Sequence, residues 1–381
     1  MPSRAEVVIV GGGCLGVSAA YRLAAAGVDV VLVERDELGS GSTIKAAGGV
    51  RAQFSDRVNV ELGARSLRQF RSFASDLGQE IDLHTVGYLF LLSNPDDVRA
   101  FEEAVALQNS LGVPTRMIDA EEAQRLSPLI STEGVLAASF HAGDGHCDPA
   151  SVVAGYATHA RRHGARIVRG VGVGGMDRSG GRVTTVHTTA GPIHCDGVVI
   201  AAGAWSGEVG AWAGVDLPVT PLRRQVLVTE RVPGLRTDTP MTIDHGTSFY
   251  FHHEGDGLLI GMSDPDETVG FRLERSETWL PRLADAIERR TPSLSDVGIR
   301  TGWAGLYEMT PDHNGLVGRE GNVVYATGFS GHGFLMAPAL GEVVRDLWLG
   351  QDGVIDVSSL SAARFTGSEG GPSVRAERHI V

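Results

Sequence analysis

The sequence has little cysteine, no basic excess and no long apolar run. Its 381 residues hold three cysteines, Cys14, Cys147 and Cys195. They are widely spaced and form no C-x-x-C pair, which argues against a disulfide framework or a zinc site. A reducing, cytoplasmic setting is the expectation. Lys and Arg number 33 against 46 Asp and Glu, a formal net charge of −13. A nucleic-acid partner would want a basic face, so none is expected. No uncharged stretch reaches the ~18–20 residues of a membrane span. Val7 to Tyr21 is uncharged and follows a lone Arg4, as in a signal peptide, but Glu6 precedes it and four glycines interrupt it. Those features weigh against export. Repeats and low-complexity segments are absent. Prolines number 16 and the glycines have no three-residue period, which excludes collagen.

Glycine is what the chain has in excess. It accounts for 51 of 381 residues, about twice the roughly 7 % of average usage. With 42 % hydrophobic residues, disorder is not the explanation. The glycines must serve turns and close backbone approaches in a folded chain. The length suggests two domains.

The most informative segment is "AEVVIVGGGCLGVSAAYRLAAAGVDVVLVERD". Glu6 to Val10 reads as a buried strand. Gly11, Gly13 and Gly16 fit G-x-G-x-x-G. Leu15, Ala19, Leu23 and Ala26 follow helical spacing, Gly27 stands at the helix end, and Val28 to Val33 reads as a second strand ending at Glu34. This is a βαβ unit with a dinucleotide fingerprint in its required context. Gly11 permits the tight turn, Gly13 lets the backbone approach a pyrophosphate, and Gly16 allows helix and strand to pack closely. The helix N-terminus offers N–H groups and a positive dipole end to the anion. Glu34 can accept hydrogen bonds from an adenosine ribose.

The glycine-rich "ELGSGSTIKAAGGVRAQFS" reads as a loop that passes under a cofactor or lies on the surface. Helices are expected over 57–78, 95–111, 149–163 and 276–290, with a short capped one in "DAEEAQRLSP". "LHTVGYLFLLS", "RQVLVTE", "TSFYFHH" and "GLLIGMS" read as strands of a mostly antiparallel sheet. "GVGVGGMD" does not complete a second fingerprint, because Asp177 stands where the third glycine would be. "NVVYATGFSGHGFLMAPALGEVVRDLWLG" is strand, glycine turn and helix, with a second helix N-terminus near Gly333. From about Ser359 the chain is polar and is expected to pack loosely.

Five blocks together resemble the amine-oxidising flavoproteins of the D-amino acid oxidase superfamily. The branch most similar contains sarcosine oxidase, dimethylglycine dehydrogenase and amino-acid dehydrogenases. The blocks are the fingerprint unit, "GSTIKAAGGVRAQF", "DGHCDP", "VVIAAGAWS" and "YEMTPDHNGLVG…YATGFSGHGFLMAPALGE". The resemblance implies an α/β fold: a Rossmann-like FAD-binding domain (1–80, 145–215 and 310–381) and a second α+β substrate domain (81–144 and 216–309). It implies FAD, with Gly11, Gly13, Cys14, Leu15, Gly16, Glu34 and Arg35 around the ADP half. Ser42, Thr43, Lys45 and Gly48 would lie along the ribityl chain and flavin, and Val173 by the adenine. Ala202, Gly203 and Trp205 would support the cofactor. Gly331, His332 and Gly333 would approach the flavin pyrimidine edge. Fourteen glycines fall in these blocks: 11, 12, 13, 16, 39, 41, 48, 49, 143, 145, 203, 328, 331 and 333.

The implied reaction oxidises the C–N bond of a small amino acid or N-methyl amino acid by hydride transfer to flavin N5, giving an imine. A flavin-dependent 2-hydroxy-acid dehydrogenase and a non-catalytic assembly partner are the alternatives. Departures from the family pattern matter. Lys45 replaces a tethering His and Gly305 a tethering Cys, which implies non-covalent FAD. Leu259 and Leu335 replace lysines that serve oxygen and the substrate carboxylate, which favours a dehydrogenase. Arg51 is either a fork for a carboxylate or an ion-paired loop arginine. Lys45 is either near the flavin or solvated. Tyr250 and Tyr307 either line the substrate cavity or cap a sheet edge. His332 is a structural hydrogen-bonder or a proton shuttle. His252 and His253 have no metal-ligand partners at telling spacing, and read as a surface strand. The electron acceptor is open, as is a homo- or hetero-oligomer.

Overall fold

The computed structural model describes residues 2–366, 374, 376 and 377. Two eight-stranded sheets organise them. The first runs Leu316–Glu320, Val323–Thr327, Gly191–Ile200, Arg4–Val10, Val30–Val33, Arg166–Val168, with Arg182–Thr188 pairing antiparallel to Gly191–Ile200 and Val173–Ser179 to Arg182–Thr188. Its four inner junctions from Val323–Thr327 to Arg166–Val168 are parallel. Parallel strands are covered on both faces, which explains the unbroken apolar runs. Val7 and Ile9 face one core with the helices Cys14–Ala25, Pro149–Arg162 and Gly333–Leu349, while Ala5, Val8 and Val10 face the other.

The second sheet runs Ile299–Met309, Thr220–Thr229, Gly257–Gly261, Phe249–Glu254, Met241–Asp244, Tyr88–Leu92, Ala137–His141, Arg116–Ile118. Every junction is antiparallel except that between Met241–Asp244 and Tyr88–Leu92. Its side chains alternate. Leu89, Leu91, Phe249, Phe251 and Leu227 pack beneath the helix Leu280–Arg290, and Tyr88, Phe90, Tyr250 and Val226 turn to the opposite face. That opposite face looks toward the first sheet's glycine turns.

Three expectations need correction. The helix expected over 276–290 begins at Leu280. Ser276 and Thr278 bond to each other instead, and Pro281 in the first turn presets the helical φ. His252 is not on the surface: it is 1 % exposed, because the loop at Ala47 covers that strand face. The described residues of the C-terminal segment are better packed than its polarity suggests. Leu360 and Ala362 are buried, Arg364 pairs with Asp312 at 2.8 Å, and Glu377 accepts from Ser55 and Asn59. Apolar burial at Leu360 and Ala362 and these charged partners hold it together. Residues 367–373, 375 and 378–381 of that segment lie outside the described residues.

Candidate functional site

One cavity runs from the fingerprint turn to the inner face of the second sheet. Nearly every anticipated residue borders it. At one end are Gly11, Gly13, Cys14, Leu15, Glu34, Arg35 and Val173, with Ala202, Gly203 and Trp205 alongside. Ser42, Thr43, Lys45 and Gly48 follow, then Arg51, Tyr250, Tyr307, Gly331, His332 and Gly333. Gly16 is the exception. A Cβ there would lie 1.9 Å from the Gly11 carbonyl oxygen, so Gly16 seats the helix rather than bordering the cavity. Gly12, Gly39, Gly143, Gly145 and Gly328 likewise pack against protein. A Cβ at Gly145 would sit 1.9 Å from the His84 carbonyl oxygen.

The residues fit an adenine dinucleotide. Gly11 (φ +107°) bends the chain between Val33, whose carbonyl it donates to at 3.0 Å, and Ala201. The helices Cys14–Ala25 and Gly333–Leu349 both start at the cavity, and neither has a side-chain cap. The helices Arg57–Leu77, Pro95–Ser110, Ala120–Leu126 and Pro149–Arg162, by contrast, are capped by Asp56, Asn94, Asp119 and Asp148. Uncapped N–H groups at a cavity wall suit an anion or a reduced, negatively charged ring. The Glu34 carboxylate accepts from Gly12 N at 2.7 Å and Asp36 N at 2.8 Å. Those bonds orient it and leave lone pairs for ribose hydroxyls. Arg35 lies 4.4 Å over the Trp205 ring.

At the other end Arg51 is 2 % exposed. Its guanidinium lies 4.2 Å from the Phe54 ring centre and donates to the Gln53 carbonyl and, at 3.0 Å, to His332 Nε2. An arginine can only donate, so His332 Nε2 accepts and its proton sits on Nδ1. Burial pushes the Arg51 pKa down and Tyr88, Glu377 and Asp144 push it up. Asp144 is fully buried, accepting from Ala52 N, Gln53 and His141 Nδ1, and so braces the segment that carries Arg51. Burial also raises the phenol pKa of Tyr250 and Tyr307. Lys45 is half-buried, its pKa lowered by desolvation, and its backbone carbonyl accepts from Trp303 Nε1 at 2.9 Å.

The bordering residues that escaped the sequence reading include Tyr88, Arg224, Met241 and Glu308. Glu308 is held by Thr327 Oγ1 at 2.8 Å, and burial raises its pKa. The available signal was period two, since Arg224 and Val226 share a face of one strand.

A histidine stack braces the same loop. His252 lies 4.2 Å from His146, which lies 4.9 Å from His84. His252 Nε2 reaches the Ala47 carbonyl at 2.9 Å. Burial holds His252 at about 4 and His146 at about 2, against 6.5 for a free ring, with the neighbouring histidines adding to both shifts. Asp82, Glu254 and His253 complete the charged surroundings. Both rings are therefore neutral when folded and charge on unfolding. Stability is full above pH ~6.5 and is lost as pH falls from there toward ~4. The melting temperature should drop over that window, and less steeply in His146→Asn. Equal slopes in the two proteins would contradict this origin.

The family model described as DAO, FAD dependent oxidoreductase, matches residues 6–347. Dimethylglycine dehydrogenase of Mus musculus is 32 % identical over 386 residues, covering 95 % of this chain and 44 % of that protein. The chain thus spans less than half the length of that relative. FAD-dependent oxidoreductase domain-containing protein 1 of Bos taurus is 31 % identical, covering 100 % of this chain and 87 % of that one. The solved L-proline dehydrogenase from P. horikoshii superposes with a TM-score of 0.90 at 32 % identity, over 96 % of this chain and 99 % of that one. Among the described residues, no helix is long and apolar enough to cross a membrane. With its fingerprint turn, two uncapped helices and covering sheet in one cavity, the chain belongs to the DAO family of FAD-dependent oxidoreductases.

Proposed function

We propose that the chain oxidises the C–N bond of a small amino acid or N-methyl amino acid. The observation that carries this is the continuity of the cavity: it joins the fingerprint turn to a buried Arg51 and to Tyr250 and Tyr307. FAD, which Gly11, Gly13, Glu34 and Thr43 would help to hold, would supply a two-electron hydride acceptor for the carbon next to nitrogen, and water would hydrolyse the imine product. The protein's share is placement at short distance. Arg51 pairs with the substrate carboxylate, and Gln53 and His332 fix its plane. Tyr88, Tyr250 and Tyr307 wall off water around the amine. Such relatives as dimethylglycine dehydrogenase and L-proline dehydrogenase support that substrate range.

The FAD-binding part comprises 1–80, 145–215 and 310–381, and the substrate part 81–144 and 216–309. The cofactor is held non-covalently, since Lys45 and Gly305 stand at the two tethering positions and pack on each other. Leu259 and Leu335, both buried, favour an acceptor other than oxygen. Three buried free thiols suit the cytoplasm.

The test is anaerobic titration of the purified flavoprotein with sarcosine, N-methylalanine, proline and glycine, against lactate as a hydroxy-acid control. Bleaching by one of the amines is expected, and bleaching by lactate alone would overturn the reading. Denaturation should release all flavin to the supernatant. Flavin retained on the chain would refute the non-covalent assignment.

A further inference from the structure

We propose that Phe271 is a positioning residue for the cofactor. It clamps Trp205 over the Glu34 end of the cavity, so that the connecting segment 262–279 governs how fast FAD leaves. Retention of FAD is independent of which amine is oxidised.

Residues 262–279 join the strand Gly257–Gly261 to the helix Leu280–Arg290 without a strand or helix of their own. Connections beyond ~12–15 residues without secondary structure are uncommon in compact domains, and those that occur are mostly lids and binding loops. This one is tied along the strand Thr220–Thr229. Arg223 and Gln225 share the strand face that turns away from the cavity. Arg223 donates from Nε to Glu267 at 2.7 Å and from Nη1 to the Glu274 carbonyl at 2.7 Å. Gly270 N donates to the Pro221 carbonyl at 2.9 Å, and Ser276 N to Gln225 Oε1 at 2.7 Å. The Arg223–Glu267 pair is largely shielded from water, with the Glu267 side chain 3 % exposed, so salt screens it little. The stretch 267–274 is therefore held at both ends.

What that held stretch presents is apolar. Val269, Phe271 and Leu273 alternate along it and are exposed, Phe271 by 52 %. The Phe271 ring lies 5.1 Å from the Trp205 ring with 22° between their planes. The Arg35 guanidinium lies 4.4 Å over the same indole. Trp205 borders the cavity beside Gly41, where a Cβ would lie 3.9 Å from the indole. Arg35 and Gly41 follow the strand Val30–Val33, and Trp205 follows Gly191–Ile200. Turns of the first sheet thus wall this end of the cavity, next to the Glu34 carboxylate. A side chain from a connection of the second sheet pins that wall from outside. Trp205 ends the single 3-10 turn Gly203–Trp205 and is half-buried. Without Phe271 its indole has water on the outer side and regains rotamer freedom. An indole that swings outward opens the cavity at the dinucleotide end. Phe271 acts only through Trp205, by the preference of two rings for an offset stack.

The test reads flavin release and needs no turnover. The FAD-loaded protein is diluted into buffer, and the flavin remaining on the chain is followed with time. Phe271→Ala should release FAD roughly tenfold faster, a factor that corresponds to about 1.4 kcal/mol and to the loss of one aromatic pair. Phe271→Tyr keeps the stacked ring and should stay within about twofold of wild type. Glu267→Gln cuts the anchor, leaves the ring and should speed release in the same direction. The melting temperature of the flavin-free protein should be unchanged in Phe271→Ala, because the ring is half-exposed. Unaltered release in Phe271→Ala or in Glu267→Gln overturns the proposal. Equal acceleration by Val269→Ala, which trims a neighbouring exposed side chain and leaves the stack, overturns it too. So does a flavin-free melting temperature that falls in step with retention, which would make Phe271 a residue of the fold alone. Failure of every amine to bleach the flavin would refute the proposed reaction and leave these release rates as they stand.

Discussion

Gly11→Ala should purify without flavin. The physical reason is the combination of two constraints at one residue. Gly11 has φ +107°, and a Cβ there would lie 2.3 Å from the Ala201 carbonyl oxygen. The backbone conformation alone costs an L-residue about 1–2 kcal/mol. The overlap adds to it, because Ala201 cannot retreat: its N–H donates to the Val10 carbonyl at 3.0 Å inside a parallel junction. The turn must open, and Gly13 and Cys14 N move with it. Each ~1.4 kcal/mol lost from binding is a factor of ten in affinity. Retained flavin should therefore fall below roughly a tenth of wild type, with a lower melting temperature through lost ligand linkage. Flavin absorbance per chain and a thermal melt measure both. Gly174→Ala is the control, since a Cβ there meets nothing within 4 Å and the residue needs no left-handed backbone. Full flavin in Gly11→Ala would show that the turn does not carry the pyrophosphate.

Arg51→Lys should bind its amine substrate about a hundredfold more weakly. Arg51 holds the Gln53 carbonyl and His332 Nε2 while lying on the Phe54 ring, and it borders the cavity. An ammonium cannot span those two acceptors and still meet a carboxylate in a fixed plane. Two charge-assisted bonds at ~1.5–3 kcal/mol each more than cover that factor. Lysine keeps the charge and the apolar stem, so the fold should survive, as a melt would verify. The deciding measurement is the split between substrate Kd and the rate of flavin reduction at saturation. A raised Kd with a modestly lower rate supports carboxylate binding. An unchanged Kd with a slow rate would make Arg51 a positioning residue for His332.

Much of the cofactor end was legible before folding was considered. The βαβ unit is local: strand, turn, helix and second strand lie within one short segment, and Gly16 answers a clash with Gly11 inside it, although the clash at Gly11 is with the distant Ala201. The helix at Gly333 was legible for the same reason. The order of strands was not, because pairing such as Val7 with Gly197 and Val198 with Val323 joins distant segments. The histidine pair shows the limit sharply. Both residues suit a strand, and alternation says that one must face inward. Only the loop at Ala47, closing over the sheet from some two hundred positions away, makes His252 the buried one.

The same holds for charge. Arg223 and Arg224 are identical in type and adjacent in sequence. Tertiary structure gives Glu267 to the first and an open cavity to the second. By itself the sequence determined where backbone must come close to a dinucleotide, because steric need is written locally, in glycine. Only the folded chain decided which of its arginines, tyrosines and carboxylates share the substrate end. Burial and partnership there depend on the antiparallel register of strands drawn from across the chain.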